Sequence, residues 1–170
     1  VDGYLEGITK KEFGAKKKKL RKRGVFGFHM MLYKNRIVIT WGTSRFAYVL
    51  RKIKTKYTMF YPSKFNLNIL KENSILRYLK KKKPKYLSHL AGLSRPMEQH
   101  EGNISKSIDL NIIGTANVVK VCRKYNIKII YFSTNYVYDC IKCNFKESDG
   151  IKPIKNYGLY KKGGEAHGVM

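Results

Sequence analysis

The sequence predicts an α/β fold, a parallel sheet with helices on both faces, incomplete at the C-terminus. Three observations predict it. Short β-branched and aromatic runs alternate with helical stripes in the order strand, helix, strand, helix, strand, helix, strand, which is the pattern of a parallel sheet. The chain has 170 residues, 43% of them hydrophobic, enough for one domain with its own core. The turns with chemical character all follow strands, which is where such sheets hold their ligands.

Taken in order, the elements begin after a basic segment. Lys16-Lys-Lys-Lys-Leu-Arg-Lys-Arg23 is a charge run that self-repels and stays extended. It reads either as a localisation or polyanion-binding tail or as a solvated extension. Met30 and Met31 precede the first patterned segment, so the division falls between a disordered basic extension, 1–30, and a domain, 31–170. Arg36-Ile-Val-Ile-Thr40 is a buried first strand. Trp41 to Ser44 is a turn, and Arg45 to about Ile53 is helical. Tyr57 to Phe60 is a second strand, closed by Tyr61-Pro62-Ser63. A helix from Asn68 to Lys82 carries the apolar stripe Ile75, Leu76 and Leu79, and Pro84 ends it. Tyr86 to Leu90 is a third strand, followed by Ala91-Gly92. The longest helix covers 104–125, with Ile108, Ile112, Thr115, Val119 and Cys122 on one face. Lys128 to Ser133 is a fourth strand. A loop then leads to a helix that carries Tyr157 and Lys161.

Charge and cysteines bound the function. The formal net charge is +25, which predicts attraction to nucleic acid, anionic surfaces or acidic nucleotides. Richness in Lys, Asn, Ile and Tyr fits an A/T-rich coding sequence equally well. The three cysteines, Cys122, Cys140 and Cys143, make neither a disulfide framework nor a four-ligand zinc site, so no metal is expected. Loop thiols in a reducing cytosol are the default, which places the protein in the cytoplasm. No apolar run is long enough to span a membrane, and no membrane partner is expected.

Tyr157 and Lys161 stand four apart, on one face of a helix. A phenol titrates near about 10, and an ammonium group beside it lowers that value. The pair is a candidate proton donor for chemistry at a carbonyl or alcohol.

Four stretches together resemble the extended short-chain dehydrogenase/reductases that act on nucleotide sugars, with the dTDP-4-dehydrorhamnose reductase branch nearest. They are Leu90-Ala-Gly92, Asn111-Ile-Ile-Gly-Thr115, Tyr131-Phe-Ser-Thr-Asn-Tyr-Val-Tyr-Asp139 and Asn156-Tyr-Gly-Leu-Tyr-Lys161. The resemblance runs from about Leu32 to the last residue. It implies a Rossmann-like NAD(P)-binding domain and a nucleotide-sugar substrate. Tyr157 would be the proton donor, Lys161 would lower its pKa and hold the nicotinamide ribose, and Thr134 would bond the substrate oxygen. Ser133 and Asn135 would flank the substrate. Ala91 and Gly92 would pass close under the cofactor, and Asn111 would brace the long helix.

The first turn departs from the family pattern. Trp41, Ser44 and Ala47 stand at the three glycine places of Thr40-Trp-Gly-Thr-Ser-Arg-Phe-Ala47. Ala at the third is tolerated. A side chain at the first predicts backbone strain, and Ser44 places one where the pyrophosphate should approach. Gly42 is a candidate to take over the turn by a shifted alignment. The cofactor contacts expected here are Gly42, Thr43, Ser44, Arg45 and Phe46, with Asn68 near the adenine. No acidic residue follows the second strand, and Arg51, Lys52 and Lys64 suit a 2′-phosphate, so NADP is favoured over NAD. Family members are longer, so 31–170 reads as a partial domain without the C-terminal substrate domain. Two other readings stand beside the reductase/epimerase: a non-catalytic regulatory member of the family, and a nucleic-acid or other polyanion binder using the basic tail. A homo-oligomer is compatible with all three.

Overall fold

The computed structural model describes residues 35–139, 144–146 and 148–168; for 167 and 168 it describes the backbone alone. The basic run 16–23, the division at residue 30, and Cys140 with Cys143 lie outside those residues.

Four parallel strands form one sheet in the order β2-β1-β3-β4: β1 is Arg36–Ile39, β2 Thr58–Phe60, β3 Tyr86–His89 and β4 Lys128–Tyr131. The register sets Val38 beside both Phe60 and Leu87, and His89 beside Tyr131. β1 has β2 on one side and β3 on the other, so the connections leave in opposite directions. That makes the carboxyl ends of β1 and β3 the switch point of the sheet. β1, β3 and β4 stop one or two residues short of their expected runs, where the chain turns into the loops that line this edge, and β2 starts one residue late, at Thr58. Among the described residues β4 pairs only with β3, and Ile130 on it is 47% exposed.

Helix α1 (Arg45–Leu50) is short and ends before Ile53. Helix α2 (Glu72–Lys82) buries Ile75 and Leu79 and half-buries Leu76, as its stripe predicts. It begins at Glu72 rather than Asn68, because Asn68 accepts from the Leu70 amide (3.0 Å) and forms a turn of its own. Lys83 closes α2 in the left-handed conformation (φ 46°), just before Pro84. Short helix α3 is Gln99–Gly102, and α4 (Ile104–Ile108) runs into a π-helical segment, Asp109–Ile113, and on into α5 (Gly114–Lys124).

That π segment changes which face is buried. Ser107 and Asn111 take the deep positions, while the expected Ile108 and Ile112 are only half-buried; Thr115, Val119 and Cys122 are buried as expected. The wide turn inserts one residue into the ladder and rotates the first half of the helix. The core lies between α2, α5 and the sheet, around Val38, Ile75, Leu79, Leu87, Val118 and Cys122. Last comes α6 (Asn156–Gly168), which packs on β4, on α5 and on the 3₁₀ turn Asn135–Val137.

Candidate active site

The turn after β1 keeps the geometry of a glycine turn without its glycine. Trp41 stands at φ 57°, in the left-handed region where a bulky side chain is strained by roughly 1–2 kcal/mol. Gly42 does not take over that role. Its amide donates to the Pro62 carbonyl (3.0 Å), and a Cβ on it would overlap the Tyr61 backbone. It is glycine so that two backbones can touch. Arg51 pins the turn through Nη2 to the Gly42 carbonyl (2.8 Å), with its guanidinium 4.6 Å from the Tyr61 ring centre. Ser44 caps α1, its Oγ accepting from the Ala47 amide at 3.1 Å. Thr43, Arg45 and Phe46 are exposed. The Phe46 ring meets Phe132 edge-on at 5.3 Å, across the carboxyl end of β3.

The turn after β3 is held by buried hydrogen bonds. Thr40 Oγ1 accepts from the amides of Leu90 and Ala91, both at 2.9 Å. Its own proton therefore goes to His89 Nδ1, 3.1 Å away. His89 Nε2 then donates to Thr115 Oγ1 (3.1 Å), and Thr115 donates to the Asn111 carbonyl (2.8 Å). Asn111 Nδ2 donates to the Leu93 carbonyl (3.0 Å), and Asn111 Oδ1 lies against Gly92, where a Cβ would collide. The chain of bonds starts and ends on residues 90–93. It fixes His89 as the neutral Nε2–H tautomer. Burial, and the Lys161 charge beside it, push the His89 pKa down to about 3.

The third wall is α6 against the segment leaving β4. Gly158 and Gly164 allow this contact: a Cβ on the first would overlap the Tyr136 carbonyl, and on the second the Tyr131 hydroxyl. The close approach sets Tyr157 edge-on to the Tyr136 ring at 5.8 Å and near Thr134, whose hydroxyl donates to Asn135 Oδ1 at 3.4 Å. Burial raises the Tyr157 pKa, the Thr134 hydroxyl and the Arg95 guanidinium lower it, and Tyr136 raises it. Lys161 turns elsewhere. Its Nζ donates to the Phe132 carbonyl and lies 4.2 Å from the Tyr131 ring centre. Burial lowers its pKa to about 8, against the opposing charge of Glu165. Arg95 adds a positive charge that bears on the phenol, beside the Lys161 that the sequence pointed to.

The residues expected at the site thus fall into groups. Thr134, Tyr157 and Lys161 gather at the carboxyl end of β4, with Ser133 and Asn135 exposed around them. Ala91 and Gly92 are half-buried on the floor beside Asn111. Gly42 to Phe46 line the opposite side, and Asn68 stands in the loop after β2 with its side chain committed to the turn before α2. Sequence reasoning missed His89, Thr40, Arg95 and His100. His100 is buried, 3.0 Å from Ser107 Oγ through Nδ1, with its ring 4.7 Å from that of Tyr157. A polar residue within a strand or a buried helix end was the available signal. Among the described residues no cluster of His, Cys, Asp or Glu is arranged to hold a metal ion, and no helix is long and apolar enough to cross a membrane.

A four-stranded parallel sheet with helices against it and a crevice at its switch point defines a Rossmann-like α/β type of domain. The chain belongs to the RmlD substrate binding domain family, whose model matches residues 35–167. It is 28% identical over 100 residues to the dTDP-4-dehydrorhamnose reductase of Aggregatibacter actinomycetemcomitans, covering 58% of this chain and 34% of that one. It is 29% identical over 99 residues to the methionine adenosyltransferase 2 subunit beta of Xenopus laevis, covering 58% of this chain and 29% of that protein. The fold superposes on a dTDP-4-dehydrorhamnose reductase from Bacillus anthracis, solved in complex with NADP, with a TM-score of 0.74 at 24% identity, over 78% of this chain and 48% of that one. The chain therefore spans about a third of the curated relatives it matches.

Proposed function

We propose that this chain is the dinucleotide-binding part of an NAD(P)-dependent nucleotide-sugar reductase or epimerase of the dTDP-4-dehydrorhamnose reductase type. The observation that carries the reading is the meeting of Thr134, Tyr157 and Lys161 at the carboxyl end of β4, beside the switch point. The crevice suits a nicotinamide dinucleotide. Its floor at Ala91 and Gly92 is small, with the Leu90 and Ala91 amides turned inward to Thr40, so a flat ring can approach. Bound there, the cofactor supplies a hydride.

The chain's own groups supply the rest. Tyr157 gives a proton to the sugar oxygen, and the Thr134 hydroxyl donates to the same oxygen. Arg95 offsets the phenolate that remains. Lys161, charged below its pKa of about 8 and held on the Phe132 carbonyl, would be the residue to hold the ribose hydroxyls. Ser133 and Asn135, exposed at the same edge, contact the sugar. On the other side β2 ends without a carboxylate and is followed by Lys64, while Arg51 and Lys52 follow α1, and this favours NADP over NAD. Gly42 to Phe46 face the pyrophosphate, and Asn68 lies toward the adenine.

The test is turnover of NADPH with a 4-dehydro nucleotide sugar. Tyr157→Phe is expected to lower it by about a hundredfold or more while NADPH affinity holds. Equal turnover would remove Tyr157 from the chemistry. A second reading, a non-catalytic regulatory member, is favoured by the strain at Trp41 and by the similarity to the methionine adenosyltransferase subunit. It expects cofactor or partner binding that is indifferent to Tyr157→Phe.

A further inference from the structure

The two edges of the sheet differ in where their carboxylates stand. At the crevice edge acids are mixed with the cations: Glu98 and Glu101 stand with Arg95 after β3, and Asp139 and Asp149 with Lys146, Lys152 and Lys155 after β4. The opposite edge is where the chain enters the strands. Three connectors lie there, residues 53–57, 83–85 and 125–127, and none contains an acid. Lysines crowd the same edge. Lys80, Lys81 and Lys82 form the last turn of α2, and Arg123 and Lys124 that of α5. A helix dipole accounts for a cation in each last turn. It does not account for those at the strand starts, Arg36, Lys85 and Lys128.

Backbone bonds draw these cations into one row. The Lys85 amide donates to the Arg36 carbonyl and the Lys128 amide to the Lys85 carbonyl, both at 3.0 Å. Arg36 Nη1 reaches the Lys82 carbonyl at 2.9 Å, joining the strand starts to the end of α2. Aromatic rings are set among them. Lys85 Nζ lies 5.3 Å from the Tyr86 ring centre and Lys80 Nζ 5.8 Å from that of Tyr125. Tyr57 meets Tyr86 edge-on at 6.1 Å, and Tyr125 is 37% exposed. In the three connectors Ile53 is the one exposed aliphatic side chain, too little to anchor an edge in lipid.

We infer that this amino-end edge, away from the crevice, binds single-stranded nucleic acid. Lysines at close spacing track phosphates, and the tyrosine rings offer bases a stacking face. The surface is separate from the crevice and does not depend on the reductase reading.

The experiment uses the full chain and a labelled oligouridylate, titrated by fluorescence anisotropy at several salt concentrations. One variant reverses the edge, Lys80→Glu with Lys85→Glu and Lys128→Glu. Another reverses the same number of charges on the loop before α6, Lys146→Glu with Lys152→Glu and Lys155→Glu. Both keep the basic N-terminal run and carry the same net charge. The edge variant should lose about tenfold or more in affinity, with its log–log salt slope flattened by about two, at ~0.7 for each lost contact on a single strand. The loop variant should bind as the wild type does. Tyr125→Leu keeps every charge and should lose about fivefold or more at an unchanged slope. Equal losses in both triple variants, an unaffected Tyr125→Leu, or tighter binding to phosphatidylserine vesicles than to the oligonucleotide would overturn the inference.

Discussion

The turn after β1 and the turn after β3 lie side by side at the switch point, yet different forces hold them. After β1 the backbone decides. Trp41 accepts a left-handed φ of 57°, Gly42 touches the Tyr61–Pro62 backbone, and Arg51 ties the carbonyl. After β3 buried side chains decide, through the bonds that run from Thr40 by way of His89 and Thr115 to Asn111. A backbone-held turn tolerates a wrong residue at a cost in strain. A side-chain network tolerates little, because removing one member leaves its buried partners unsatisfied. The turn after β1 carries Trp41 at a left-handed position, whereas the β3 turn has a complete set of partners.

The largest expected effect strikes the network. His89→Leu strands the Thr40 and Thr115 hydroxyls in the core and should cost about 3 kcal/mol in urea denaturation. His89→Gln, which can accept and donate, should recover part of it. A loss below about 1 kcal/mol for the leucine variant would show that the network does not hold this turn.

Gly42→Ala comes next, at about 2 kcal/mol, since its Cβ would meet backbone that cannot swing aside. Trp41→Gly, one residue away, should act with the opposite sign. Relief of the left-handed strain outweighs the added chain entropy, for a gain of up to about 1 kcal/mol. If both changes destabilise, the strain assigned to Trp41 is not there.

Acid should separate the two turns further. The folded pKa of His89, about 3, lies below the unfolded value of about 6.5. Between those values the unfolded chain binds the extra proton. The His89 contribution is thus complete above about pH 6.5 and declines as pH falls toward 3, by at most about 1.4 kcal/mol per unit. Urea midpoints measured from pH 7 to 4 should show that decline, and His89→Gln should flatten it. The smallest effect lies outside the comparison. Lys120 and Glu72 pair at 2.8 Å on the exposed surface, so Lys120→Ala should change stability by less than about 0.5 kcal/mol.

Much of this was legible in the sequence. The alternation of runs gave the parallel sheet, and Ile75 with Leu79 gave the buried side of α2. That Thr134 and Tyr157 stand in one region was expected from the family resemblance. The face of the long helix was not legible over its first half, because a π turn shifts register without a residue type that announces it. The His89 network was hidden for a related reason. Its members lie far apart in the chain, and a lone histidine in a strand does not show which hydroxyls will surround it. Lys161 was placed correctly on α6, but its contact with the Phe132 carbonyl depends on how far α6 sinks onto β4, which Gly158 and Gly164 set.

The crevice is proposed to take a nicotinamide dinucleotide, although its first turn lacks the usual glycines. Titration of the full chain with NADPH, followed by the change in its fluorescence, tests this directly, with Trp41→Gly measured alongside. Saturable binding by the wild type, tightened by up to about fivefold in Trp41→Gly as the strain of the turn is relieved, is the predicted result. Failure of both chains to saturate at millimolar NADPH would contradict it.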